Sequence, residues 1–167
     1  MCDYCGCRET EPIAELSEEH AHLENLGTRL RNALQQDDDG TARALLARIV
    51  GILDPHVRKE ERGLFSHMLD EGAEYETVVE GLIGEHIELE HAIARLGDTL
   101  DRGAVLAFLE ALDEHIFKEE WDLFPAAMGL LSYDALQAIS EVHDEEGSAL
   151  DDRRRYNSVS ERACASL

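Results

Sequence analysis

The 167-residue chain sets 15 Lys and Arg against 37 Asp and Glu, a formal charge of −22, with 44% apolar and only 5% aromatic residues. A negative field of that size repels phosphate backbones and anionic headgroups, which excludes nucleic acid and membrane surfaces as ordinary partners. The unbroken apolar run Ala104 to Leu109 falls far short of the ~20 residues that span a bilayer, and no basic-then-apolar leader opens the sequence, so one cytoplasmic domain is expected.

Three of the four cysteines, Cys2, Cys5 and Cys7, crowd into an N-terminal tail of residues 1–11, while Cys164 stands near the other end. That is no disulfide framework for a domain of this size, and a reducing compartment fits it. Three close thiols can bind metal, form a redox disulfide or relay electrons, yet three thiolates do not close a tetrahedral site. A reduced tail is the plainer alternative.

Apolar residues at three- and four-residue steps then predict four long helices. The first runs from about Pro12 to Gln36 on Ile13, Leu16, Leu23, Leu26 and Leu30, with Pro12 suited to its first turn. Asp37 to Gly40 ends it. The second, about Thr41 to Leu69, carries Leu45, Ile49, Ile52, Leu53 and Leu64, and a kink is expected at Pro55, eased by Gly51 four residues earlier. The third spans about Ala73 to Leu96 and the fourth about Ala104 to Phe124, after which Pro125 ends or bends it. Ser132 reads as the N-cap of a short helix through about Glu145, and residues 148–167 read as a loose tail. Short links favour an all-α, antiparallel up-down-up-down four-helix bundle over residues 12–147, with a short added C-terminal helix.

The second and fourth helices share a motif. His56-Val57-Arg58-Lys59-Glu60-Glu61 through Leu64-Phe65 matches His115-Ile116-Phe117-Lys118-Glu119-Glu120 through Leu123-Phe124, so both read H-h-x-K-E-E-x-x-L-F, with h aliphatic. The first and third share E-H-x-x-L-E, at Glu19-His20 to Glu24 and Glu85-His86 to Glu90. Two related helical hairpins are implied. At about 100° per residue, Glu60 lies roughly 40° from His56 and Glu119 likewise from His115. Leucines flank each pair, as they flank His20 and His86, so four histidines and two glutamates interrupt apolar stripes and face one core. Unpaired there, each polar group would cost roughly 2 kcal/mol or more, against a net stability of ~5–15 kcal/mol. Mutual pairing is one solution; a dinuclear metal site fits the donor types and the twofold pattern better.

With those residues in place, the chain from about Pro12 to Met128 resembles the hemerythrin-like (HHE cation-binding) domains. The resemblance implies two iron ions in an oxo- or hydroxo-bridged non-haem centre, with His20, His56, His86 and His115 as terminal ligands and Glu60 and Glu119 bridging. It departs on the third helix, where oxygen carriers resemble H-x-x-x-H but this chain follows His86 with Glu90 at +4 and places His91 about 140° away. A position left open on each iron suits reaction with peroxide, nitric oxide or oxygen better than reversible storage, unless Glu90 or Glu24 fills it. The same ligands also suit manganese or zinc.

A di-iron protein that binds and reacts with peroxide, nitric oxide or oxygen is the leading reading, with peroxide decomposition or nitric oxide reduction as its candidate enzyme chemistry, small gaseous or peroxide ligands and an unassigned electron donor. An oxygen- or redox-sensing or oxygen-binding module is the second. Iron donation for iron-centre repair is the third, and some relatives resembling repair factors carry an N-terminal cysteine pair. Among the remaining residues, Glu61 and Glu120 are expected behind the ligands or on the surface, His22 outside and His67 at the bundle end. His143 is expected in a solvated charged end, and Phe65, Trp121 and Phe124 in the packing.

Overall fold

The computed structural model describes residues 10–96 and 100–150. Every regular element among them is helical: α1 (Glu11–Gln35), α2 (Asp39–Lys59), α3 (Ser66–Glu71), α4 (Glu76–Leu96), α5 (Arg102–Lys118), α6 (Phe124–Leu130) and α7 (Tyr133–Glu146). π-helical turns Glu60–Phe65 and Glu119–Leu123 join α2 to α3 and α5 to α6, and a 3-10 turn, Ala73–Tyr75, leads into α4. None of the described helices is long and apolar enough to cross a membrane. Cys2, Cys5, Cys7 and Cys164 lie outside the described residues.

Local chemistry sets the helix starts. The Asp38 carboxylate accepts from the Thr41 amide at 3.0 Å to open α2, and Asp101 accepts from the Gly103 and Ala104 amides to open α5. Ser132 caps α7 as its sequence predicts, with Oγ accepting from the Ala135 amide at 3.2 Å. Pro125 falls in the first turn of α6, where its missing N–H is not needed. Pro55 does not break α2, which continues through it to Lys59, and the winding changes at Glu60.

Two apolar clusters fill the bundle, one at each end. Leu23, Leu26, Leu30, Leu45, Ile49, Leu89, Phe108 and Leu112 belong to the first, and Ile13, Leu16, Leu64, Met68, Leu82, Leu123 and Ala127 to the second. The order of meeting alternates: α1 and α4 run from the second cluster to the first, whereas α2 and α5 lie in the first and lead through their π turns into the second. Along the chain the candidate site residues fall where the two clusters meet. Helix α1 packs against α2 and α5, and α4 against α5.

Helix α7 lies against α1, α2 and the first π turn. Gly63 permits that approach, since a Cβ there would stand 3.2 Å from Ile139 Cγ2 and 3.7 Å from His143 Cδ2. Replacing it with leucine overpacks the seam at a cost of about 1–3 kcal/mol, so Gly63→Leu should lower the thermal midpoint by about 3–10 °C. A melting curve superimposing on that of the parent would show that α7 is not seated there. Just beyond α7, Ala149 is buried and its amide donates to Glu19 Oε1 at 3.3 Å, while residues 151–167 of the expected tail lie outside the described residues.

Candidate metal centre

At mid-height, between the apolar clusters, the four imidazoles meet in two pairs. His20 Nε2 stands 3.0 Å from His56 Nε2, and His86 Nε2 stands 3.0 Å from His115 Nε2. Glu60 lies between the pairs with one oxygen toward each, Oε1 at 3.3 Å from His56 Nε2 and Oε2 at 3.4 Å from His86 Nε2. Glu119 Oε2 approaches His20 Nε2 at 3.2 Å and His115 Nε2 at 3.3 Å. All six side chains are buried.

Each imidazole is oriented from behind by a carboxylate on its Nδ1. His56 pairs with Glu19 at 2.8 Å, His20 with Glu120 at 3.0 Å, His86 with Glu61 at 2.9 Å and His115 with Glu85 at 3.0 Å. Donation from Nδ1–H fixes the tautomer and turns each Nε2 lone pair inward. Two further motif positions, the lysine and the phenylalanine, complete the frame. Lys59 Nζ donates to Glu19 Oε1 at 2.6 Å, Lys118 Nζ donates to Glu85 Oε1 at 2.5 Å, Phe65 stacks on His86 and Phe124 stacks on His20. In H-h-x-K-E-E-x-x-L-F the lysine thus steadies the carboxylate behind its own hairpin's histidine. The second glutamate and the phenylalanine reach across to a histidine of the other hairpin.

The centre is short of positive charge. Four inward lone pairs and two carboxylates converge, and none of the four oxygens of Glu60 and Glu119 has a hydrogen-bond partner. Their ligand atoms form two groups, His20, His56, Glu60 and Glu119, and Glu60, His86, His115 and Glu119, each with all atoms within 4.8 Å of one another. Buried carboxylates left bare are costly, so the donor set in each group suits a metal cation. Without metal, protons take that place. Burial opposes the charge, but Glu60 and Glu19 raise His56 to about 10, and Glu60 and Glu119 raise His86 to about 9. Burial also works against Glu60, yet His56 and His86 hold it well below the usual carboxylate range.

Glu24 and Glu90, the possible additional ligands, are exposed and belong to neither group. The helical wheel explains it. On α1 and α4 the buried leucines stand at −4 and +3 from the histidine, about −40° and −60° around the helix, whereas +4 lies at about +40°. On α2 and α5 the buried leucines stand at −3 and +8, about +60° and +80°, the side on which Glu60 and Glu119 also fall.

Two expectations for other residues are corrected. His143 is buried rather than solvated, its Nδ1 paired with Glu15 at 2.8 Å, because α7 folds onto α1 and α2. Trp121 is exposed, beside the exposed Phe117 at 5.9 Å between ring centroids, on the rim of a groove of about 590 Å³ between α1 and α5 that reaches His20 and Glu120. Glu19, Glu85, Lys59 and Glu15 were not assigned by sequence reasoning. The glutamate before the histidine in both E-H-x-x-L-E segments was the available signal for the first two. His67 bonds the Gly63 carbonyl and stands apart from the cluster.

No curated protein and no solved structure matches the chain. A family model for the hemerythrin HHE cation binding domain matches residues 11–127, the span from the start of α1 through α6 residue Ala127 that contains all six central side chains. The chain belongs to the hemerythrin HHE cation-binding domain family.

Proposed function

We propose that this is a non-haem di-iron protein whose centre binds and reacts with small oxidants or gases: peroxide, nitric oxide or oxygen. His20 and His56 would hold one ion, His86 and His115 the other, with Glu60 and Glu119 shared between them. The observation that carries the reading is the set of four buried, unpartnered glutamate oxygens among four imidazoles oriented from behind. The alternating order in which the long helices meet the two apolar clusters supports an up-down-up-down four-helix bundle over residues 12–147 with α7 added. Residues 1–11 and the C-terminal remainder would flank it, in a cytoplasmic protein.

Iron held there supplies one-electron chemistry toward small ligands. Two imidazoles and a share of two carboxylates would leave room on each ion for a small ligand, since Glu24 and Glu90 are exposed and belong to neither group. Leu53, Leu64, Leu112 and Leu123 keep the surroundings apolar, which disfavours water and admits small neutral molecules. The groove at Glu120 gives a route to His20 from solvent.

Protein purified from iron-replete cells should contain about two iron atoms per chain, and mixing its reduced form with oxygen in a stopped-flow spectrometer should give an oxidised product. A spectrum that reverts over many cycles when oxygen is removed would overturn the enzyme reading in favour of a carrier or sensor. A single ion per chain, or zinc in place of iron, would overturn the di-iron assignment.

A further inference from the structure

The two groups of ligands are alike in chemistry and unlike in support. Behind His56, Glu19 is 1% exposed and is fixed by Lys59 at 2.6 Å and by the Ala149 amide. Lys59 is itself fully buried, and its ammonium also binds Glu15 at 2.5 Å, which takes His143 Nδ1 on its other oxygen. Burial opposes the charge on Glu15, but His143 and Lys59 hold it at about 2, so it stays an anion. Behind His20, Glu120 is 12% exposed. Behind His86 and His115, by contrast, Glu61 and Glu85 are 38% and 32% exposed, and Lys118 is 48% exposed.

The difference comes from what covers each hairpin. Helix α7 and the chain through Ala149 close the outer side of α1 and α2. The matching seam of α4 and α5 is instead a groove of about 420 Å³ lined by Leu89, Ala92, Ala104 and Phe108, with Glu85 and Lys118 at its edge. In the repeat register Ala92, Ala104 and Ala111 stand where the first hairpin has Leu26, Leu45 and Ile52, and Gly81 stands where it has Glu15. Nothing lies within 4 Å of a Cβ at Gly81.

We propose that the centre is kinetically asymmetric: the His86/His115 position gives up its metal to a chelating acceptor, the His20/His56 position retains it, and Lys59 is the positioning residue that makes the difference. The inference rests on the two-metal reading above. An imidazole leaves a metal by swinging on its outer hydrogen bond. A carboxylate in contact with water moves and exchanges partners, whereas one clamped in low dielectric by an ammonium and an amide holds the ring in place. Losing such an outer partner costs roughly 10–100-fold in metal affinity.

The test loads the full chain anaerobically with two ferrous ions and mixes it with excess ferrous chelator. Two phases of one ion each are expected, at least about tenfold apart, and Lys59→Met should accelerate only the slow phase, by roughly 10–100-fold. Lys118→Met should leave both phases within about twofold, since its partner already exchanges with water. Anomalous diffraction from half-stripped parent protein should locate the retained ion between His20 and His56, a measurement that stands even if Lys59→Met fails to fold. One phase for two ions, a retained ion at His86 and His115, or equal acceleration of both phases by Lys59→Met would overturn the inference and leave the two-metal reading intact. Fewer than two ions at loading would overturn both.

Discussion

Glu119→Ala should empty both metal positions at once, taking iron from about two atoms per chain to nearly none. The reason is geometric: Glu119, like Glu60, belongs to both ligand groups, so its loss removes a donor from each. His115→Ala removes a donor from only one group and should leave close to one ion, with His20, His56, Glu60 and Glu119 still assembled. Stability follows the metal. An ion at a thousand times its dissociation constant stabilises the fold by about 4 kcal/mol, on the order of 10 °C in a domain of this size. Iron should therefore raise the midpoint of the parent by that order and leave Glu119→Ala unmoved. The apo form of the variant also loses the ion pairing that Glu119 offers the charged imidazoles, so the effect of metal is read as the difference between the apo and iron-loaded melts of each protein. Elemental analysis with thermal melts of both forms decides it; two iron atoms retained by Glu119→Ala would refute a shared carboxylate.

The six central residues were legible because each occupies a phase on an amphipathic helix, and phase is a local property of sequence. Doubling of the motif then supplied what one H-x-x-x-E would not, a second copy facing the first. The outward turn of Glu90 and Glu24 was legible too, in the side on which the neighbouring leucines fall, but it needs the sense of rotation and not only its size. Lys59 was not legible. A lysine between an arginine and two glutamates reads as surface, and it is buried only because α7 arrives from some eighty residues further along the chain. His143 is hidden by the same event, its partner Glu15 lying 128 residues away. The π turns at Glu60 and Glu119 carry no propensity signal either, since wider winding is imposed by what the turn must reach. Glu61 and Glu120, in these turns, bond histidines of the opposite hairpin.

The apoprotein should lose stability as pH rises from about 6.5 toward 10, while the stabilisation conferred by metal grows across the same range. In the folded apo centre His56 titrates at about 10 and His86 at about 9, against 6.5 when unfolded. Below 6.5 both states carry these protons and the ion pairs with Glu60 and Glu119 contribute in full. Above it the unfolded chain releases them first, so the contribution shrinks and is lost as pH passes through 9 to 10. Glu60 works from the acid side: its depressed value contributes stability above 4.5 that disappears only as pH falls through the folded value. Metal takes the same nitrogens in their neutral form, so binding must expel the imidazolium protons, and the cost of doing so falls as pH rises. Melting curves of the apo and iron-loaded protein at about pH 6.5, 8 and 9.5 should therefore diverge. Calorimetric titration in buffers of different ionisation enthalpy should show protons released on binding, fewer at the highest pH. An apo midpoint that stays level across this range would mean that His56 and His86 are neutral without metal. The unpartnered carboxylates would then have to be carried by some other cation.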